Sequence, residues 1–202
     1  MSPARSRLRE CLRADVARLR EEDASLRALV RGLLAPGFQA LVVYRLFRWC
    51  HERGIPTQPL RFLAERAVEV LTGISLPAAA RIGKGLRIHH FGGIILHPEA
   101  EVGERCTLYQ GVTLGDRGGG GGAPRVGDDV LIGAGAKVLG DVRLGDGCRV
   151  GANAVVLTSV PAGYLAVGVP ARLRPPRGSG QERRGAPAEP ARMGGQRWSD
   201  RG

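Results

Sequence analysis

Two periodicities divide the chain. Over the first 72 residues apolar side chains recur every three or four positions, at Leu8, Leu12, Val16 and Leu19 and again at Leu26, Leu29, Val30 and Leu33, the spacing that lines one face of an α-helix. Asp23 is the expected N-cap of the second stretch, and Pro36-Gly37 breaks it. A further helix is predicted from Phe38 through Val42, Leu46 and Trp49 to a stop at Gly54. Another starts near Thr57, with Pro59 in its first turn, and ends at Gly73. The apolar stripe is read as core; Leu41 to Trp49 is amphipathic and basic, the one stretch with the character of a membrane-surface helix.

From Ile82 the beat changes to six. Leu96, Val102, Leu108 and Leu114 are spaced by six, as are Val126, Ile132, Val138, Leu144, Val150 and Val156, and the two series stay in phase across a gap of twelve. Gly follows the aliphatic residue at Val102, Leu114, Val126, Ile132, Leu144 and Val150, and four positions on sits a small or β-branched residue such as Ala100, Cys106, Val112, Ala136 or Cys148. Alternating strands give a period of two and helices 3.6, so neither explains it. A solenoid does: each hexad makes a short strand and a turn, and three hexads close a triangular coil with aliphatic residues stacked inward and small ones at the corners. Successive coils then lie about 4.8 Å apart.

A solenoid in which every residue stacks has no pocket, so interruptions mark the places for chemistry. Between Ile88 and Leu96 the step is eight, with the extra residues around His89-His90-Phe91-Gly92-Gly93. Between Leu114 and Val126 a whole hexad is irregular: Gly115-Asp116-Arg117, five glycines from Gly118 to Gly122, then Ala123-Pro124. The glycines lack the Lys-Ser or Lys-Thr of a phosphate-binding loop and read as a mobile loop.

Composition narrows the class. Aromatic residues are 4% of the chain and glycines 31 of 202, which suits a core of aliphatic side chains between tight turns. The formal charge of +11 concentrates at the ends: residues 1–72 carry 13 basic and 8 acidic groups, residues 173–202 carry 7 and 3, and the segment between is nearly balanced. No aromatic-plus-basic motif or finger spacing accompanies the arginines, so nucleic-acid binding is not expected. No apolar run or leader suggests secretion or membrane spanning, and a cytoplasmic location is expected. Cys11, Cys50, Cys106 and Cys148 are too scattered for a zinc site or a disulfide frame and are expected to be packed, inert thiols, with no metal bound. The division is therefore a helical domain over 1–72, a mainly β solenoid over 73–172, and a proline-broken, disordered basic tail over 173–202.

The hexad pattern resembles the hexapeptide-repeat acyltransferases, whose fold is a left-handed parallel β-helix. More closely, PGFQALVVYRLFRW (36–49), LTGI (71–74), IGKGLRIHHFGGI (82–94), TLYQGVTLG (107–115), IGAGAKVLG (132–140), VGANAVVL (150–157) and VGVPARL (167–173) resemble the serine O-acetyltransferases, with their helical front end. The resemblance implies an acetyl-CoA-dependent O-acetyltransferase forming O-acetyl-L-serine for cysteine biosynthesis. His90 aligns with the family's general base, and an imidazole can take the hydroxyl proton as oxygen attacks the thioester. It also implies a homotrimer, or a dimer of trimers, with the pantetheine arm of acetyl-CoA between adjacent β-helices near Gly115, Ala134 and Gly135 and with Arg149 near the phosphates; a cysteine synthase is an implied partner. His89 replaces the Asp of the family's Asp-His pair, and His97 stands at the Gly of its GET and is expected to cap a turn, while His51 closes a helix.

Positions that hold serine in the family differ here. Ser75 replaces the acidic residue after TGI, Pro77-Ala78 replaces His-Pro, Pro98 replaces the Glu of GET, and Gly122-Ala123-Pro124 replaces Arg-His-Pro. Glu99, Asp116 and Arg117 lie in or beside the interruptions and are candidates to supply the missing charges, with Ser75 and His89 as substrate neighbours. A sugar, a polysaccharide precursor or a specialised-metabolite alcohol is the alternative acceptor, and a β-helical scaffold without catalysis is the remaining alternative.

Overall fold

A computed structural model describes residues 8–21, 25–118 and 120–176. Four helices come first: α1 (Leu8–Arg20), α2 (Leu26–Leu33), α3 (Pro36–Glu52) and α4 (Leu60–Thr72). The expected cap Asp23 lies outside the described residues; Ser25 caps α2, its Oγ accepting from the Ala28 N–H at 3.2 Å. Pro36 opens α3 in the first turn, where its missing N–H costs nothing. Gly73 ends α4 with φ of 66°, a left-handed conformation that glycine adopts without strain.

Fifteen short strands follow and form three faces of a parallel solenoid. Face 1 stacks β1 (Ile74–Ser75), β4 (Ile94–Leu96), β7 (Thr113–Gly115), β10 (Lys137–Leu139) and β13 (Val155–Val156). Face 2 stacks β2 (Arg81–Ile82), β5 (Glu101–Val102), β8 (Arg125–Val126) and β11 (Arg143–Leu144). Face 3 stacks β3 (Arg87–His89), β6 (Thr107–Tyr109), β9 (Leu131–Ile132), β12 (Arg149–Val150), β14 (Leu165–Val167) and β15 (Arg172–Arg174). The last pair is antiparallel, so ordered pairing runs through Arg174, past the boundary expected at 173. Residues 177–202, where the rest of the expected tail falls, lie outside the described residues.

The register explains the hexads. Ile82 pairs with Val102, Val102 with Val126 and Val126 with Leu144, steps of 20, 24 and 18 residues. The regular coil is the 18-residue one; the first carries two extra residues and the second a whole extra hexad. Ile88, Leu108, Ile132 and Val150 form the matching inward column on face 3. The small residues are equally enclosed, with Ala100, Cys106, Val112, Ala136, Cys148 and Ala154 fully buried. At most of these positions the glycine after the aliphatic is there because the next coil comes too close: a Cβ on Gly103 would lie 2.5 Å from the Gly127 carbonyl oxygen, whereas at Gly115 there is room for one.

All four cysteines are buried free thiols. Burial pushes the Cys106 thiol up to about 11 and the Cys148 thiol up to about 12, so both stay protonated at neutral pH. Thiol titration with a water-soluble disulfide reagent is therefore expected to show no rapid reaction at Cys106 or Cys148 in the native protein and full reaction in denaturant; fast native labelling of either would contradict the packing.

The helices close the first end of the solenoid rather than building a separate core, since Ala40, Leu41 and Tyr44 belong to the same buried cluster as the coil aliphatics. Tyr44 Oη donates to the Ala80 carbonyl at 2.9 Å and accepts from the Ile82 N–H at 3.1 Å. Beside it, the buried Arg45 donates to Asp15 of α1 at 2.9 and 3.1 Å and to the carbonyls of Ile82 and Gly83 at 2.6 and 2.7 Å. Among the described residues no single helix is long and apolar enough to cross a membrane.

Candidate active site

The corner between face 3 and face 1 holds the first interruption. In the coils above it the turn is tight: the Gly111 N–H donates to Gly92, the Gly135 N–H to Gln110 and the Asn153 N–H to Ala134, each at 2.8–2.9 Å. Gly93, Gly111, Gly135 and Asn153 therefore form one column, and all have positive φ between 55° and 72°. His89 pairs with Tyr109 in register. Between His89 and Gly92 the first coil has two residues with no counterpart in the next, so His90 and Phe91 are the bulge. His90 is exposed with φ of 63°, a left-handed conformation to which His, Asn and Asp are better suited than most residues. An extra pair of residues that cannot stack is forced outward, and it carries an imidazole to the surface edge.

His89 is held differently. Its half-buried ring stacks on Tyr109 with centroids 4.8 Å apart and planes 12° from parallel, while the His90 ring stands 6.5 Å from both. Tyr109 escaped notice in the sequence because its partner lies one coil away, 20 residues earlier. Ala134 and Gly135 occupy the same corner two coils on; Gly135 suits its place there, with φ of 71° in the left-handed region.

The other candidates lie elsewhere on a single chain. Ser75 is half-buried on face 1, in register with Ile95. Gly115 ends β7 at the opposite edge of face 1, and Arg149 is exposed on face 3. Glu99, Asp116 and Arg117 sit at the corner between faces 1 and 2. Glu99 borders an open polar groove whose charges are paired across it, Arg81 with Glu101 at 2.7 Å and Arg125 with Asp141 at 3.8 Å. Arg117 is committed to the fold: its guanidinium donates to the Leu139 and Leu157 carbonyls of the next two coils. His97 caps its turn as expected, its Nδ1 accepting from the Glu99 N–H at 3.2 Å.

Beside His90 the structure opens an apolar groove of about 990 Å³ between α2, the start of α3 and the bulge. Leu26, Val30 and Leu34 form one wall, Ile88 and Phe91 the other, and Arg27 and Arg31 stand on the helical lip. The sequence pattern marked the apolar positions of α2 as core; Leu26 is instead 75% exposed and Val30 47%. The helical period identified the apolar face of α2 but not what it would pack against.

The bacterial transferase hexapeptide model, of six repeats, matches residues 123–158. The serine acetyltransferase of Mycobacterium tuberculosis is 42% identical over 168 residues, covering 80% of this chain and 71% of that protein. Among solved structures, the serine acetyltransferase of Brucella abortus superposes with a TM-score of 0.76 at 32% identity, covering 84% of this chain and 70% of that one. A serine acetyltransferase in complex with CoA gives 0.74 at 32% identity, covering 83% and 69%. The left-handed β-helix with a helical front end, which the resemblance implied, is thus the fold present, and the chain belongs to the serine acetyltransferase family.

Proposed function

We propose that the chain transfers the acetyl group of acetyl-CoA to the hydroxyl of L-serine, with His90 as general base. The serine oxygen attacks the thioester carbonyl carbon while a His90 ring nitrogen takes the hydroxyl proton; the carbon–sulfur bond breaks and the proton passes to the CoA sulfur. The products are O-acetyl-L-serine and CoA. The observation that carries this is the two-residue bulge, which takes a histidine at the family's base position out of a close-packed corner and exposes it. An alcohol is a poor nucleophile at neutral pH, so a positioned base is what the reaction most needs.

A homotrimer accounts for the separation of the remaining candidates. His90, Ala134 and Gly135 lie on one corner and Gly115, Asp116 and Glu99 on another, so a cleft between two β-helices brings the first corner of one protomer against the second corner of its neighbour. Acetyl-CoA would lie in that cleft, its thioester at His90; the CoA complex of a relative supports CoA as the second substrate.

Thiol release from acetyl-CoA tests the proposal. L-Serine is expected to give a higher kcat/KM than any member of a panel of sugars. A sugar preferred over serine would move the acceptor, and no release with any alcohol would leave a scaffold. One observation favours a different alcohol: Ser75, Pro98 and Gly122 are uncharged at positions where the family carries charge, and a zwitterion left unpaired at either end binds its transition state several kcal/mol less well.

A further inference from the structure

From the groove beside His90 we infer that this chain also accepts hydroxyl compounds larger than serine, with an apolar body and an anionic group, and that α2 is the element that selects them. The inference rests on His90 being the base. Three features of the groove converge. It is continuous with the bulge, since His90 and Phe91 line it together with Ile88, so a hydroxyl placed at the imidazole leaves the rest of its molecule in the groove. Its walls are aliphatic and aromatic, with Phe91 59% exposed and Leu26 75% exposed; apolar surface of that kind binds by being removed from water. Its lip carries two cations one helical turn apart, Arg27 and Arg31, and neither makes an ion pair or a side-chain hydrogen bond among the described residues.

Other exposed arginines of this chain are paired, Arg66 with Glu69, Arg81 with Glu101 and Arg105 with Asp129; what sets Arg27 and Arg31 apart is their place on the lip of an apolar groove that reaches His90. Two unpaired guanidiniums on an apolar wall complement a carboxylate or phosphate on an apolar stem. Serine has no such stem. The reaction is unchanged: the acceptor oxygen bonds to the acetyl carbon, the carbon–sulfur bond breaks, and the hydroxyl proton passes through His90 to sulfur, giving an O-acetyl ester and CoA.

The test compares 3-hydroxyoctanoate, its methyl ester, 3-hydroxybutyrate and L-serine as acceptors for the full chain, together with direct titration of non-reacting octanoate. The expected result is a kcat/KM for 3-hydroxyoctanoate about tenfold or more above that for 3-hydroxybutyrate, because the four added methylenes enter the groove. In the Arg27→Ala/Arg31→Ala variant the preference for the free acid over the methyl ester should fall about tenfold, and octanoate should bind correspondingly more weakly. In Val30→Asp, octanoate binding should be lost. Turnover of serine without turnover of 3-hydroxyoctanoate overturns the inference and leaves the base intact. Loss of both reactions in the wild type, with octanoate still bound, sinks the role of His90 instead. A fall in oligomer mass in Val30→Asp would show that a second copy of the chain occupies the groove, and that too overturns it.

Discussion

Replacing His90 by alanine is expected to lower kcat for acetyl transfer by about 10²–10⁴-fold, the usual worth of a positioned general base, while the far-ultraviolet circular dichroism and the thermal transition stay near those of the wild type. The two halves of the expectation have separate grounds. The rate falls because no second base stands in the same place: His89 is held in a stack on Tyr109, with the His90 ring 6.5 Å away. The fold persists because His90 is exposed on a bulge outside the inward columns, so no buried contact is deleted. The backbone adds a refinement. At φ of 63° alanine is less comfortable than histidine, whereas asparagine tolerates the left-handed region. His90→Asn should therefore be as inactive as His90→Ala and at least as stable. A rate within tenfold of wild type in both variants would move the chemistry to another group, and His89→Ala, expected to cost less than His90→Ala, would show whether that group is its neighbour.

How far this site could be foreseen follows from what a repeat encodes. The hexads specify most of the inward columns because each aliphatic meets an aliphatic one coil on, and the residues from Leu96 to Leu114 and from Val126 to Val156 were legible from spacing alone; Ala166, which stacks on Val150 sixteen residues on, was not. Interruptions were legible for the same reason: His90-Phe91 and the loop after Gly115 are the residues left over when the coils are aligned. What spacing does not encode is direction. Arg117, a candidate for the substrate, turns back to the carbonyls of the following coils, since a guanidinium on a glycine-rich loop finds exposed backbone acceptors before it finds a ligand. Tyr109 meets His89 only through the lateral register between coils, and the groove beside His90 depends on how α2 packs beside the start of α3 and the bulge. Ser25 rather than Asp23 caps that helix.

The least legible feature is also the one whose loss should cost the most stability. Asp15 sits among the apolar positions of α1 and Arg45 among those of α3, and the helical pattern gives no reason to join them. Their side chains are 0% and 3% exposed and form a double hydrogen bond; Asp15 also accepts the Gly85 N–H at 2.8 Å, and Arg45 caps the carbonyls of Ile82 and Gly83. Two helices and the first coil thus share one buried ion pair. Removing one partner leaves the other charged, enclosed and unpaired, so Asp15→Ala is expected to lose about 3–5 kcal/mol of unfolding free energy, a large part of the roughly 5–15 kcal/mol that a domain commands. Asp15→Asn keeps an acceptor for the Gly85 N–H and should lose less. Replacing both partners by apolar residues of similar volume, as in Asp15→Leu with Arg45→Met, should recover the part of the loss that lies in the stranded charge, while the Gly85 N–H and the Ile82 and Gly83 carbonyls, left without their side-chain partners, keep the variant below wild type. Urea unfolding of the four proteins measures this directly: the single variants should separate from wild type in midpoint, and the double variant should lie between. Activity should follow the folded fraction, since α3 seats the active corner by packing Gly37 against Ile88 just before the bulge, where a Cβ would come within 2.7 Å of the Ile88 side chain. If Asp15→Ala unfolds within about 1 kcal/mol of wild type, the guanidinium has found water, and the helices are held to the solenoid by their apolar contacts alone.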